Sequence, residues 1–462
     1  MHFGTIIARS LNMKNVITSS VLSVRKNWHY AWIIILIAAI MHMAGGSIRQ
    51  AFGVLIVPME TQFGWSPVSS TLAYALASVV GALLAPISGI ATDRFGARKV
   101  ILVGILFFFL GSMVTGAASD VWHIWLSYGL GLGVAQAAFN VPIITAATYW
   151  FRTNLGLGIG LLQASHGLGP AVLAIVVSFL INSVEWRATF WAIGVFGVII
   201  MLILMLFFRN RPSDMGLRAF GAPATEAIAP DVPPAIATLR SKAYRMAMQG
   251  TMTFWKLVAV HGLGCIGHSI IIIYVIPMAI KQGIDPLAAA GILTTLVAVS
   301  VLTRFLTPVC ADYLGARKMM VAMFVLQGLP VLMLFWTQEL WQFYLFAVIF
   351  GFGYGGEGSA FPIINRQYYG RGPMGRSFGW QQFGAGSGMA IGAWGGGALF
   401  VLAGSYTLTI LVSVGASLLG ALIIFSMEPD NTVLIPSWED SLPSEARSDF
   451  QVAPNSAGAS AD

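Results

Sequence analysis

The residues able to do chemistry in this chain are the few charged and titratable ones set inside its apolar runs: Arg49, Arg304, Glu357 and the histidines His42, His166 and His268. A charged side chain at such depth in hydrocarbon costs roughly 2.5–3.5 kcal/mol on the gentler insertion scales, so it faces a water-filled cavity or a partner. Arginine keeps its proton under ordinary conditions, and its planar fork meets a carboxylate with two parallel hydrogen bonds. Arg49 in the first apolar run and Arg304 in the eighth, one from each half of the chain, would make an anion trap near the middle of a membrane. Two blander readings compete. Arg49 could snorkel to a nearby interface, and Arg304 could be held in a salt bridge, with Glu357 its obvious partner.

Glu357, within GFGYGGEGSAF, is the only acid that falls well inside a span. A buried carboxyl holds or releases its proton according to whether a guanidinium stands beside it, so substrate-dependent pairing with Arg304 would load and unload a proton. A permanent ion pair, or helix packing among the glycines, is the other reading. His42 and His166 are further proton-coupling candidates because imidazole titrates near neutral pH, although a lone histidine on an apolar helix is commonly a satisfied hydrogen-bond donor. His166 stands out because the equivalent position of the second half is Ala385. Gln382 and Tyr274, from their span positions, complete the expected substrate site. Cys265 and Cys310 show no metal-ligand spacing and read as small buried hydrophobes, and no metal is expected.

The elements that must position these residues follow from composition. With 57% hydrophobic and only 9% charged residues, the chain is far from the quarter charged of a soluble domain, and its apolar runs reach the roughly 20 residues that a membrane helix needs. The expected fold is an all-α integral membrane protein with about twelve transmembrane helices. DRFGARK at Asp93 to Lys99 returns as DYLGARK at Asp312 to Lys318, 219 residues later, and Gly160, Gln163, Gly167 and Gly169 return as Gly379, Gln382, Gly386 and Gly388 at the same displacement. The helices therefore form two pseudo-symmetric six-helix halves, an arrangement that places substrate sites where the halves meet. The expected organisation is an arm at 1–27, a first half at 28–208, a Pro/Ala-rich linker with little fixed structure in its middle at 209–251, a second half at 252–427 and a disordered tail at 428–462. Basic residues cluster in loops of one parity (Arg94, Arg98 and Lys99, Arg152, Arg209 and Arg211), which puts both termini in the cytoplasm of a multi-pass cell-membrane protein. The net charge of +7 is then an inner-face address, and nucleic acid is not an expected partner.

In GIATDRFGARK an acid ends one helix, a glycine permits the turn and basic residues open the next helix, chemistry suited to latching helix ends. These residues, Gly89, Asp93, Arg94, Gly96, Arg98 and Lys99 with the copy Asp312, Gly315, Arg317 and Lys318, resemble the loop signature of the major facilitator superfamily. The resemblance implies that fold and a gating role for Asp93, Arg94, Gly96, Arg98, Asp312, Gly315 and Arg317. The stretch HYAWIIILIAAIMHMAGGSIRQAFGVLIVPMETQFGWS resembles the monocarboxylate transporter and oxalate/formate antiporter branch, which implies a carboxylate substrate moved with a proton or exchanged for another anion. Arg304 and Arg49 match basic residues of that branch. Two departures stand out: Ser300 occupies the position of the branch's proton-coupling aspartate, and Gln381 and Gln382 stand where the oxalate exchanger has a lysine.

The glycine-rich strings lack the Lys-Ser/Thr and strand context of a phosphate loop, and no nucleophile, base and orienter constellation appears. Neither an enzyme nor a cofactor is expected. The reading is a monomeric secondary transporter of a small organic anion, coupled to protons, working by alternating access. The alternatives are carboxylate exchange and efflux of a hydrophobic or cationic compound.

Overall fold

A computed structural model describes residues 29–43, 63–64, 67–226, 234–430, 432–443 and 446–447. The helices, in order, are α1 Tyr30–Met43, α2 Pro67–Phe95, α3 Ala97–Gly116, α4 Val121–Trp150, α5 Leu155–Phe207, α6 Pro234–Gln249, α7 Met252–Lys281, α8 Pro286–Leu314, α9 Ala316–Phe335, α10 Leu340–Glu357, α11 Phe361–Tyr369, α12 Gly375–Ala403 and α13 Thr407–Phe425. α5 is two helices joined at Glu185, where φ is 68° and ψ 164°. Nine stretches among the described residues are long and apolar enough to cross a membrane, and α1 adds a shorter apolar helix. Large apolar side chains stand exposed on these helices, such as Phe196 at 66% and Leu402 at 82%, as expected where the solvent is hydrocarbon.

The duplication read from two short strings governs whole helices. α2 maps onto α8 at both ends (67 to 286, 95 to 314) and α3 onto α9 (97 to 316, 116 to 335), while α4 maps onto α10 and α11 together (121 to 340, 150 to 369). The displacement is 219 each time. The copies differ where α4 runs on unbroken and its repeat stops at Glu357 and restarts at Phe361.

The halves meet through two equivalent helix pairs, α2 with α12 and α5 with α8. Small residues let the backbones come close. A Cβ on Gly89 would lie 2.2 Å from the Gly375 carbonyl oxygen, and one on Gly156 would lie 2.1 Å from that of Pro308. These contacts sit at the end of the bundle that carries the two repeated loops, and beside them a cavity of about 10 Å³ among Thr145, Thr148, Pro362, Asn365 and Phe378 is at the limit for a single water. This end of the molecule is closed.

The segments outside the bundle are more structured than composition suggests. After α5 the chain lays Phe220 beside Phe151, its N–H donating to the Trp150 carbonyl and its carbonyl accepting from Arg152 N–H, both at 2.8 Å. The linker also contains α6, while its centre at 227–233 is outside the described residues. The tail, expected to be disordered from 428, packs against α6: Arg240 pairs with Glu439 and lies over the Trp438 ring, whose centroid is 5.1 Å from that of Tyr244. Ile435 and Leu442 are buried as a result. Beside that ion pair, Leu434 N–H donates to the Tyr368 carbonyl at 2.9 Å and Arg240 to the Ala446 carbonyl at 2.7 Å, so specific contacts anchor a segment whose average composition is polar.

Candidate functional site

Arg304 sits deep in α8, half-buried, with its guanidinium 4.9 Å from the centroid of the Tyr354 ring of α10. Its stem lies against α5, where a Cβ on Gly167 would come within 3.0 Å of Cδ. Among the described residues no acid lies within salt-bridge reach of it, and its Nε has no hydrogen-bond partner. Across the interface from α8, His166 of α5 stacks on His42 of α1, ring centroids 4.5 Å apart and planes 25° from parallel. His42 Nε2 is 3.2 Å from Asn140 Oδ1, and Arg304 is within electrostatic range of His42. One guanidinium from the second half thus lies within electrostatic range of an imidazole pair from the first.

Glu357 is not Arg304's partner. It is 2% exposed inside the second half, with Oε1 hydrogen-bonded to His268 Nδ1 at 3.1 Å. His268 was the lesser of the sequence candidates, and its role emerges only because α7 packs beside the end of α10. The expected proton exchange between Glu357 and Arg304 therefore lacks its contact in this conformation. Cys265 is buried, as expected of a small hydrophobe, and lies beside the same cluster. Tyr274 donates its hydroxyl to the Ala393 carbonyl at 2.6 Å. It is seven residues from the end of α7, and Arg304 is eighteen residues into the antiparallel α8, so at 1.5 Å per residue they are separated by roughly 16 Å along the bundle. Tyr274 is not brought to Arg304. Gln382 is half-buried, while its neighbour Gln381 makes a reciprocal pair with Asn365 at 2.8 and 2.9 Å. Arg49 lies outside the described residues.

The loop residues divide by what they touch. Asp93, at the end of α2, accepts from the N–H groups of Gly375 and Arg376, each at 2.9 Å, and so caps the first turn of α12 in the other half. A carboxylate there satisfies orphan donors and meets the positive end of the helix dipole. Asp312 does the same in the copy, accepting from Gly156 N–H at the start of α5. Gly96 and Gly315 take φ of 85° and 95°, conformations suited to glycine. Further along, each loop is tied to the segment that follows its own half, Arg98 N–H to Asn210 Oδ1 at 2.8 Å and Arg317 N–H to Asp430 Oδ1 at 2.7 Å. The Arg317 guanidinium also donates to the Met427 carbonyl. Arg94 is exposed and lies over Phe95 of its own loop, away from the half–half contact.

Sequence reading missed a second latch. Arg152 and Arg371, again 219 residues apart, each follow the end of the repeated span by two residues, and both reach Glu226 of the linker: Arg371 Nη1 at 2.7 Å and Arg152 Nε at 3.6 Å. Burial holds the Arg152 guanidinium below its ordinary range, the charge of Arg371 adds to that, and Glu226 opposes it. Arg366 adds a bond across the halves to the Phe151 carbonyl at 3.2 Å. The displacement of the two arginines was present in the sequence, but a single linker acid with no repeat of its own gave no signal.

Comparison with known proteins agrees with this architecture. The family model for the Major Facilitator Superfamily matches residues 31–309 and 257–454. The MFS transporter asaE of Aspergillus flavus is 24% identical over 62% of this chain, which spans 60% of its length. Monocarboxylate transporter 11 of Homo sapiens is 24% identical over 36% of the chain and 35% of its own length. The Fujikurins efflux protein of Gibberella fujikuroi is 27% identical over 34% of the chain and 33% of its own. Among solved structures, the proton:xylose symporter XylE bound to 6-bromo-6-deoxy-D-glucose superposes with a TM-score of 0.64 at 14% identity, covering 87% of this chain and 97% of that one. That likeness concerns the fold. With its duplicated helices, its half–half interface and a family match over most of its length, the chain belongs to the Major Facilitator Superfamily, as a multi-pass membrane protein that resembles the monocarboxylate branch.

Proposed function

We propose that this transporter moves a small organic anion, a monocarboxylate, together with a proton, by rocking its two halves about a site at Arg304. The observation that carries this reading is a guanidinium deep in the bundle with no acid opposite it among the described residues and an unpartnered Nε. A carboxylate supplies the missing charge and fits the fork, and the Tyr354 ring holds the guanidinium from behind. The proton carrier is the His42–His166 pair. A carboxylate arriving between the guanidinium and the imidazoles adds the negative charge that one imidazolium needs, so anion and proton load together. Arg49, outside the described residues, is the second cation of the site that the resemblance to the carboxylate branch implies. On this reading the basic loops put the closed end in the cytoplasm, with both termini inside.

The test is uptake of radiolabelled mono- and dicarboxylates into proteoliposomes with and without an inward proton gradient, wild type beside Arg304→Ala. Gradient-stimulated uptake of a monocarboxylate that the variant loses supports the reading; absence of uptake of every acid by folded wild-type protein overturns it. Likeness to an efflux protein favours a second reading, outward movement of an organic compound. It predicts extrusion from loaded vesicles that Arg304→Ala leaves intact.

A further inference from the structure

The transport reading leaves one buried cluster unused. Cys265 and His268, three residues apart on one face of α7, and Glu357 at the end of α10 bring one ligand atom each to within 4.8 Å of one another. Their exposures are 3%, 7% and 2%. The His268–Glu357 hydrogen bond uses only Oε1; Glu357 Oε2 is buried with no partner. That oxygen points at α7, where a Cβ on Gly264 would lie 2.7 Å from it, so glycine leaves the space it occupies. A buried carboxylate oxygen without a partner is costly, and the cluster is incomplete as a purely internal hydrogen bond.

The helix break points the same way. α10 ends at Glu357 and α11 begins at Phe361, whereas α4 runs unbroken over the repeated stretch. The interruption leaves Glu357 at the C-terminal end of a half-helix, and such an end in a membrane favours a cation. Charge selects which cation. A thiolate and a carboxylate together neutralise a divalent ion, so its binding adds no net charge to the apolar interior. Sulfur, imidazole and carboxylate form the donor set of zinc, and three protein ligands leave its fourth position open. His261, one turn before Cys265 on the same face and with an unpartnered Nδ1, is a further donor within the same region.

We propose that Cys265, His268 and Glu357 form a binding site for a zinc-type divalent ion in the interior of the second half. Ligation releases the Cys265 thiol proton and forms the sulfur–metal bond in its place. It ties α7 to α10 at the break. Because the Tyr354 ring packs on His268, centroids 4.9 Å apart, and on Arg304, the ion would also fix the aromatic wall behind the anion site.

The site is tested without any transport assay, so its failure and that of the carboxylate reading are separable. Full-length protein, freed of its affinity tag and treated with chelator, is titrated with Zn²⁺ against a chromogenic chelator and with Co²⁺ in the near ultraviolet. The expected result is one tight equivalent of Zn²⁺ and a thiolate-to-cobalt charge-transfer band. Cys265→Ser should abolish the band and weaken Zn²⁺ at least tenfold, the near-isosteric Glu357→Gln should also weaken Zn²⁺ at least tenfold, and Cys310→Ser should leave both signals unchanged. Absence of a stoichiometric equivalent, or equal binding by Cys265→Ser and wild type, would overturn the proposal. Should Cys265→Ser fail to fold, Glu357→Gln decides the matter through the Zn²⁺ titration alone.

Discussion

Arg304 carries the largest expected single-residue effect. Charge-assisted hydrogen bonds are worth about 1.5–3 kcal/mol, so Arg304→Ala should raise KM for the anion by roughly 10- to 100-fold, since about 1.4 kcal/mol is tenfold. Arg304→Lys keeps the charge and loses the fork, and its defect should be smaller but measurable in concentration-dependent uptake; wild-type kinetics from the lysine variant would rule out two-point recognition. If the stacked histidines, 4.5 Å apart, carry the proton that accompanies the anion, His166→Ala should abolish the stimulation of uptake by an inward proton gradient, and undiminished stimulation would move the carrier elsewhere.

Among the elements, the pairs α2 with α12 and α5 with α8 decide which end is closed. Gly89→Ala gains up to about 1 kcal/mol of helix propensity, yet its Cβ would meet a backbone oxygen at 2.2 Å, which cannot swing aside. The expected outcome is a closed end held ajar. A cysteine placed at Thr148, a buried wall of the small cavity there, should react with a water-soluble thiol reagent several-fold faster in the Gly89→Ala background than without it. Equal labelling would mean that the glycine contact does not govern closure. Asp93 acts on the same pair by a different force, the capping of α12 across the interface.

For the whole molecule, the linker and tail are part of the assembly and more than a tether. Glu226 bridges two symmetry-related arginines, one from each half. Partly exposed pairs are worth about 0.2–1 kcal/mol each, so Glu226→Gln should shift the conformational balance toward opening by a few-fold, read as faster Thr148→Cys labelling. The halves expressed as separate chains, 1–226 and 234–462, should still co-purify through α2, α12, α5 and α8. Separation of the two in mild detergent would show that covalent linkage, and not packing, holds the halves together.

The sequence by itself determined the solvent, the duplication and the position of the repeated loops. Apolar length, a displacement of 219 and a seven-residue polar string are local or periodic signals that survive without coordinates, and the helix ends obey them residue by residue. It also singled out Arg304 and His166, because charge and imidazole in an apolar run are conspicuous wherever they point. Partnership was beyond its reach. Glu357 and Arg304 share a bundle, but the rotation and packing of α7 beside α10 give the carboxylate to His268 and gather Cys265 to it. Tyr274 looked equivalent to any cavity aromatic until its depth along α7 set it near Ala393. Asp93 reads as a loop acid in one half, and only the docking of α12 makes it that helix's cap. Spacing along one helix fixes which face a residue occupies; which neighbour fills that face depends on how separate helices pack, and that information resides in the tertiary structure alone.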